Sequence, residues 1–230
     1  MPVIAFATTK GGSGKSTATL ITAGEILDAG STVTIIDADP NQPLVEWSEA
    51  TGPKDGLNVI GDVNEESIVE IIEDAATKTT FVLVDLEGSA NLLVSYAISR
   101  SDLVIVPCQG SHLDGQGAAA TIQMVATIAK NFKTEIKASV LLSRTSAAMQ
   151  PRSLKQIVQM FKDASVDVFN VQLIDRAAYK SIFSYGGTIH DLQNSEVSNL
   201  VGAKENAAAL IEEIIARLNP DSVKAEGVAA

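Results

Sequence analysis

Short, mostly apolar runs recur along the chain, and stretches of helical period separate them. Residues 3–7 (Val-Ile-Ala-Phe-Ala), 33–36, 57–60, 81–84 and 103–106 read as strands. Further strands are expected at 138–142 and near 171–174. Between them, helices are expected at 15–28 with Gly30 as the stop, around 44–47, and at 65–76, 115–130 and 152–163. A last long helix covers 200–218. Strands that are apolar throughout must be covered on both faces, so their alternation with helices predicts an α/β fold with a mostly parallel sheet. No repeat, low-complexity stretch or linker breaks the pattern. One domain is expected over residues 1–218. Residues 219–230 lack apolar periodicity and are expected to fray.

Composition narrows the class. The chain has 230 residues, 46% apolar and 20% charged, which suits one folded sheet and its covering helices. No apolar run approaches the length of a membrane span. No basic region precedes the first strand, so no secretory signal is expected, and a cytoplasmic home is. The single cysteine, Cys108, excludes a disulfide framework and any zinc or iron–sulfur site built from several thiolates. Cys108 is expected to pack as a small apolar group, and Trp47 as core or edge packing. His112 and His190 have no partner at metal-ligand spacing and read as hydrogen-bonded loop residues.

Charge is unevenly placed. Overall 17 basic residues face 28 acidic ones, which argues against nucleic acid as a partner. Between residues 130 and 180 the balance reverses, with nine basic and four acidic residues. Local field rather than net charge binds phosphates, although such a segment is equally a set of solvated helix faces.

The polar residues with chemistry follow strand ends, where parallel sheets bind ligands. Thr9-Lys10-Gly11-Gly12-Ser13-Gly14-Lys15-Ser16-Thr17 lies between the first strand and first helix. Its glycines let backbone N–H groups turn towards phosphate oxygens, and the helix adds its positive end. Lys15 is placed to reach β- and γ-phosphates and Ser16 to ligate Mg²⁺. The usual phosphate-loop pattern has glycine at the position of Thr9. Here that glycine is missing, and a second lysine, Lys10, stands beside it. Taken alone, Asp37 and Asp39 read as caps for the next helix. The loop ahead of them shifts the reading towards magnesium and water.

Lys-Gly-Gly-x-Gly-Lys-Ser resembles the deviant phosphate loop of the ParA/MinD family of ATPases, and the likeness continues through most of the chain. Ile35-Ile36-Asp37-Ala38-Asp39-Pro40 resembles the family's first switch, Val82-Leu83-Val84-Asp85 its second acidic strand end, and Val104-Ile105-Val106-Pro107 the strand that follows. Asp37 to Asn41, with Pro43, Leu44 and Trp47, is closer to plasmid-borne ParA relatives, including those of DNA-transfer operons, than to MinD. The resemblance implies a P-loop NTPase fold with ATP and Mg²⁺ as ligands. It implies that residues 10–17 bind nucleotide, that Lys10 reaches nucleotide held by a second subunit, and that Lys15, Lys10 and Asp39 serve hydrolysis. It places Mg²⁺ with Ser16, Asp37 and Asp85. Two positions depart: Glu87 stands where proline is usual, and Asn41 where glutamine often follows Asp-Pro. An uncompensated Glu87 would repel a γ-phosphate.

The function this implies is an ATP-dependent homodimer that binds DNA non-specifically and is reset by slow hydrolysis. It would serve plasmid or chromosome partition, or DNA positioning on the nucleoid, with a centromere-binding or other protein as stimulator. Arg152, Lys155, Arg176 and Lys180 are the candidate DNA contacts. Two alternatives use the same loop: a MinD-like membrane regulator, which needs a basic amphipathic C-terminal helix that residues 219–230 do not provide, and a phosphotransferase acting on a metabolite. The guanine-selecting Asn-Lys-x-Asp tetrapeptide is absent, which favours adenine.

Overall fold

A computed structural model of the chain describes residues 1–146 and 152–219. The expected tail past Asn219 and the side chain of Arg152 lie outside the described residues. In chain order the elements are β1 (Val3–Phe6), α1 (Lys15–Asp28), β2 (Val33–Ala38), α2 (Pro43–Thr51), β3 (Leu57–Ile60) and α3 (Ile68–Lys78). Then follow β4 (Phe81–Leu86), α4 (Leu92–Ser99), β5 (Leu103–Cys108), α5 (His112–Phe132) and β6 (Lys137–Thr145). The last are α6 (Arg152–Asp163), β7 (Leu173–Ile174), α7 (Ala177–Tyr185) and α8 (Leu200–Leu218).

The strands form one seven-stranded sheet in the order β3-β2-β4-β1-β5-β6-β7. Every pairing is parallel. Continuous apolar strands have no polar face to show water, so both faces are roofed. α1, α7 and α8 pack one side through Leu20, Ile21, Tyr179, Ile182, Leu210 and Ile214. α3, α4, α5 and α6 pack the other through Ile72, Ile98, Val125 and Phe161. β1 is central, and the chain leaves it first towards β2 on one side and later crosses to β5 on the other. That reversal opens a crevice beyond the carboxyl ends of β1 and β4. Within it Asp37 and Asp85 are register partners on adjacent strands.

The differences from the sequence pattern have local causes. α5 begins at His112 rather than 115, because Ser111 and Asp114 form a reciprocal capping box. His112 is therefore a helix residue, not a loop residue. α3 starts at Ile68 because Asn64 Oδ1 accepts from the amides of Glu66 and Ser67, both at 3.0 Å, and holds a turn there. Two helices were not expected at all. α4 is eight residues long and almost wholly apolar, and α7 is nine, with no capping side chain to mark its start. Trp47 is buried and donates its ring N–H to Gly187 O at 3.0 Å. Cys108 ends β5 in the core, where burial pushes its thiol up to about 12. Among the described residues no helix is long and apolar enough to cross a membrane.

Candidate functional site

The loop after β1 is shaped by two glycines in the left-handed region, Gly12 at φ 74° and Gly14 at φ 100°. A Cβ at Gly12 would meet nothing within 4 Å, so the backbone conformation and not crowding demands glycine there. Gly14 immediately precedes α1, which has no side-chain cap and no acidic residue in its first turn. The first amides of that helix are left to an anion. Lys15 opens the helix with its side chain mostly buried against the crevice floor. Of the expected phosphate residues 10–17, residues 11–17 are thus brought to one cradle.

Ser16 Oγ donates to Asp85 Oδ2 at 2.6 Å. Asp85 is fully buried, and its Oδ1 has no hydrogen-bond partner among the described residues. Burial pushes this carboxyl up to about 7, against the pull of the Ser16 hydroxyl and the Lys15 charge. An orphaned carboxylate oxygen beside a serine hydroxyl fits a hydrated Mg²⁺, an ion that draws most of its shell from water and phosphate. No group of three or more His, Cys, Asp or Glu converges on a metal cage among the described residues.

Asp37 stands in the neighbouring strand, but its oxygens are engaged. Oδ2 accepts from the amides of Leu44 at 2.7 Å and Val45 at 3.1 Å, at the start of α2. The capping role that competed with magnesium in the sequence is therefore realised for Asp37. Burial still raises its carboxyl above the ordinary range despite these bonds. Asp39 does not cap α2. Its Oδ1 accepts from the Asn41 backbone and side-chain nitrogens, both at 2.9 Å, which closes a local turn after β2. Asn41 thus has a local task at the position of the glutamine.

Glu87 is restrained as well. Its Oε1 accepts from Ser89 Oγ and Asn91 Nδ2. The next residue, Gly88, lies so close to the loop that an added Cβ would sit 3.3 Å from Gly11 N. The second switch therefore presses directly on the phosphate cradle. Asp39, Pro40, Asn41, Glu87, Gly88, Ser89 and residues 11–17 line one hollow of about 530 Å³. A larger hollow of about 650 Å³, lined by Met1, Phe81, Ile136 and Leu218 among others, lies at the opposite end of the sheet, away from these groups.

Lys10 does not face this hollow. Its ammonium is paired with Asp114 in the first turn of α5, and the side chain remains 46% exposed. Burial alone would raise Asp114, but bonds from Lys10 and Ser111 hold its carboxyl below the ordinary range. The DNA candidates do not form one cluster. Lys155 is exposed on α6, over one face of the sheet, whereas Arg176 and Lys180 belong to the start of α7 on the other. Lys180 pairs with Asp175 at 2.8 Å. Arg176 is half-buried, with its Nε shielded from solvent.

Four participants escaped the sequence reading. Gln109 Nε2 donates to Gly12 O at 2.7 Å and braces the loop. Ser143 Oγ donates to Ser13 O at 2.8 Å. Asp114 holds Lys10, and Arg144 lines the same hollow as the switches. Asp114 was visible in principle, through the Ser-x-x-Asp spacing of a capping box. The other three come from strand ends whose proximity to the loop only the sheet order reveals.

The comparisons agree with this geometry. The profile of the VirC1 protein family matches residues 1–219. Protein ParA of Rhizobium radiobacter is 33% identical over 218 residues, spanning 95% of this chain and 98% of its own. A variant of Cyanothece McdA in complex with ATP superposes with a TM-score of 0.69 at 14% identity, over 93% of this chain and 96% of that one. The MinD cell division protein of Aquifex aeolicus does so with a TM-score of 0.66 at 17% identity, over 92% and 98%. At those identities the two structures speak for the fold alone. Sequence, cradle and sheet order together place the chain in the VirC1 family, among the ParA/MinD P-loop ATPases.

Proposed function

We propose that this protein is an ATP-driven switch: it binds ATP with Mg²⁺ in the loop cradle, dimerises on doing so, and binds DNA as the dimer. Slow hydrolysis returns it to the monomer, and a protein partner quickens that step. The task this serves is plasmid partition or the positioning of DNA for transfer. The observation that carries the reading is the Ser16–Asp85 pair, with its orphaned oxygen, at the floor of a glycine-shaped loop that opens an uncapped helix.

Each residue then has a physical task. The amides of residues 11–17 and the Lys15 ammonium would hold the phosphate chain, and Ser16 with Asp85 would hold the Mg²⁺ that accompanies it. When bound, Mg²⁺ neutralises charge that develops on the phosphate oxygens. Asp39 accepts a hydrogen bond from, and so orients, a water in the hollow. Asp37 supports that arrangement from behind, by fixing α2 and the first switch. Lys10 exchanges its own Asp114 for nucleotide in the facing subunit. Leu92 and Leu113, 55% and 69% exposed, open the helices after β4 and β5 at this same end of the sheet. They supply apolar surface for two copies to meet. ATP is favoured over GTP by the missing guanine-reading tetrapeptide.

Calorimetry with ATP–Mg²⁺, followed by DNA-binding anisotropy, tests the reading. The parent binds nucleotide and Lys15→Ala does not. Lys10→Ala binds nucleotide but assembles or hydrolyses poorly, and Asp39→Ala persists as the ATP-bound dimer. DNA affinity requires ATP and falls steeply with salt, because phosphate contacts release counterions. No heat of binding with ATP in the parent, or DNA affinity indifferent to ATP, overturns it.

A further inference from the structure

β6 runs to Thr145, past the expected 138–142, and its last residues pair irregularly with β7. Ser143 partners Leu173 and Thr145 partners Ile174, so Arg144 is the extra residue of a bulge. Its φ is 49°, in the left-handed region that long side chains rarely occupy. Bulges re-aim side chains, and strained backbone persists where the surroundings fix it. Here Ser143 and Thr145 on either side are buried, and Ser143 Oγ is bonded to Ser13 O of the loop. The position of Arg144 relative to the cradle is thereby set.

The bulge delivers Arg144 to the wall of the hollow formed by the loop and the two switches. Two carboxylates, Asp39 and Glu87, line that hollow, with Lys15 beneath. Arg144 makes no ion pair or side-chain hydrogen bond among the described residues. Its five guanidinium donors are therefore available in a pocket that, on the proposed function, takes a polyphosphate. Arginine matches phosphate oxygens with paired, charge-assisted bonds.

We infer that Arg144 is a phosphate-binding residue of this chain's own nucleotide site, contributed from the end of β6. It offsets the negative charge that Glu87 brings to the second switch. The inference rests on the ATP reading above, and the experiment separates the two.

Affinities for ATP–Mg²⁺ and tripolyphosphate–Mg²⁺ are measured, by displacement of a fluorescent ATP analogue, for the parent, Arg144→Ala, Arg144→Lys and Arg144→Ala with Glu87→Gln. Thermal unfolding without ligand is followed in parallel. The expected result is a loss of about tenfold or more for both ligands in Arg144→Ala. Arg144→Lys and the double variant recover part of it, and ligand-free Tm stays near the parent's. Affinities of Arg144→Ala within about twofold of the parent overturn the inference while leaving the ATP reading standing. A loss for ATP but not for tripolyphosphate also overturns it, since the arginine would then read the base or sugar. A parent that binds neither ligand sinks the ATP reading and the inference with it.

Discussion

At the scale of single residues, the proposed function requires that contacts now made within the chain be exchanged for contacts to nucleotide and to a second subunit. Lys10 is the clearest case. Its pairing with Asp114 is half-exposed, and such pairs contribute only about 0.2–1 kcal/mol. That is small enough to be given up at an interface and large enough to bias assembly. Asp114→Asn should shift the ATP-dependent dimerisation midpoint to lower protein concentration, by up to about fivefold. Light scattering over a dilution series reads this directly, and a shift to higher concentration would contradict it. Asp85 supplies a pH dependence. Its carboxyl lies near 7 in the fold, against an ordinary 3.8. The protonated acid therefore supports the ligand-free fold fully below 3.8, and that support is lost as pH rises through about 7. Ligand-free Tm should fall between about pH 6 and 8, by the equivalent of roughly 1–3 kcal/mol, and Asp85→Asn should flatten the slope. Parallel slopes for parent and variant would show that burial does not govern this group.

At the scale of elements, helix starts do more than begin helices. Asn91 accepts from Val94 N at 2.8 Å as the cap of α4, and its amide also holds Glu87. Asn91→Ala should cost about 0.5–2 kcal/mol of stability through the lost cap. It should also weaken ATP binding, since a freed Glu87 carboxylate can swing towards the phosphates. Adding Glu87→Gln should restore the affinity but not the stability; restoration of both, or of neither, would refute the link. The strands were legible because most are largely apolar runs, those before Thr8 and Asp85 ended by a polar residue, and α1 because Gly30 stops it. α4 was not, because apolar residues fill most of its eight positions and leave little polar face to mark a period, and α7 was not, because no capping side chain marks its start. The end of β6 was hidden for another reason. A bulge at Arg144 is a property of its pairing with β7, and the letters Ser-Arg-Thr do not carry it. Likewise the glycine-rich loop was visible from its spacing, and Asp85 as the polar end of an apolar run with a magnesium role implied only by the family resemblance, whereas Gln109 and Ser143 reach the loop only through the order β1-β5-β6.

At the scale of the whole molecule, the sheet reversal around β1 gathers the loop, both switches and the first turn of α5 at one end. Every exchange proposed for the cycle occurs there. Charge follows a different plan, since Lys155 lies over one face of the sheet and Lys180 over the other. A DNA surface made of both must reach from one face of the sheet to the other. Lys155→Ala and Lys180→Ala should each lower DNA affinity at about 100 mM salt and reduce the salt slope by about one, with nucleotide binding unchanged. An unaltered slope in both would remove these side chains from the interface. The central claim is that nucleotide in the cradle joins two copies of the chain. The direct measurement is molar mass by light scattering, with saturating ATP–Mg²⁺ and without it. The account predicts a monomer that becomes a dimer with ATP and stays a monomer in Lys15→Ala; a mass unmoved by bound ATP would contradict it.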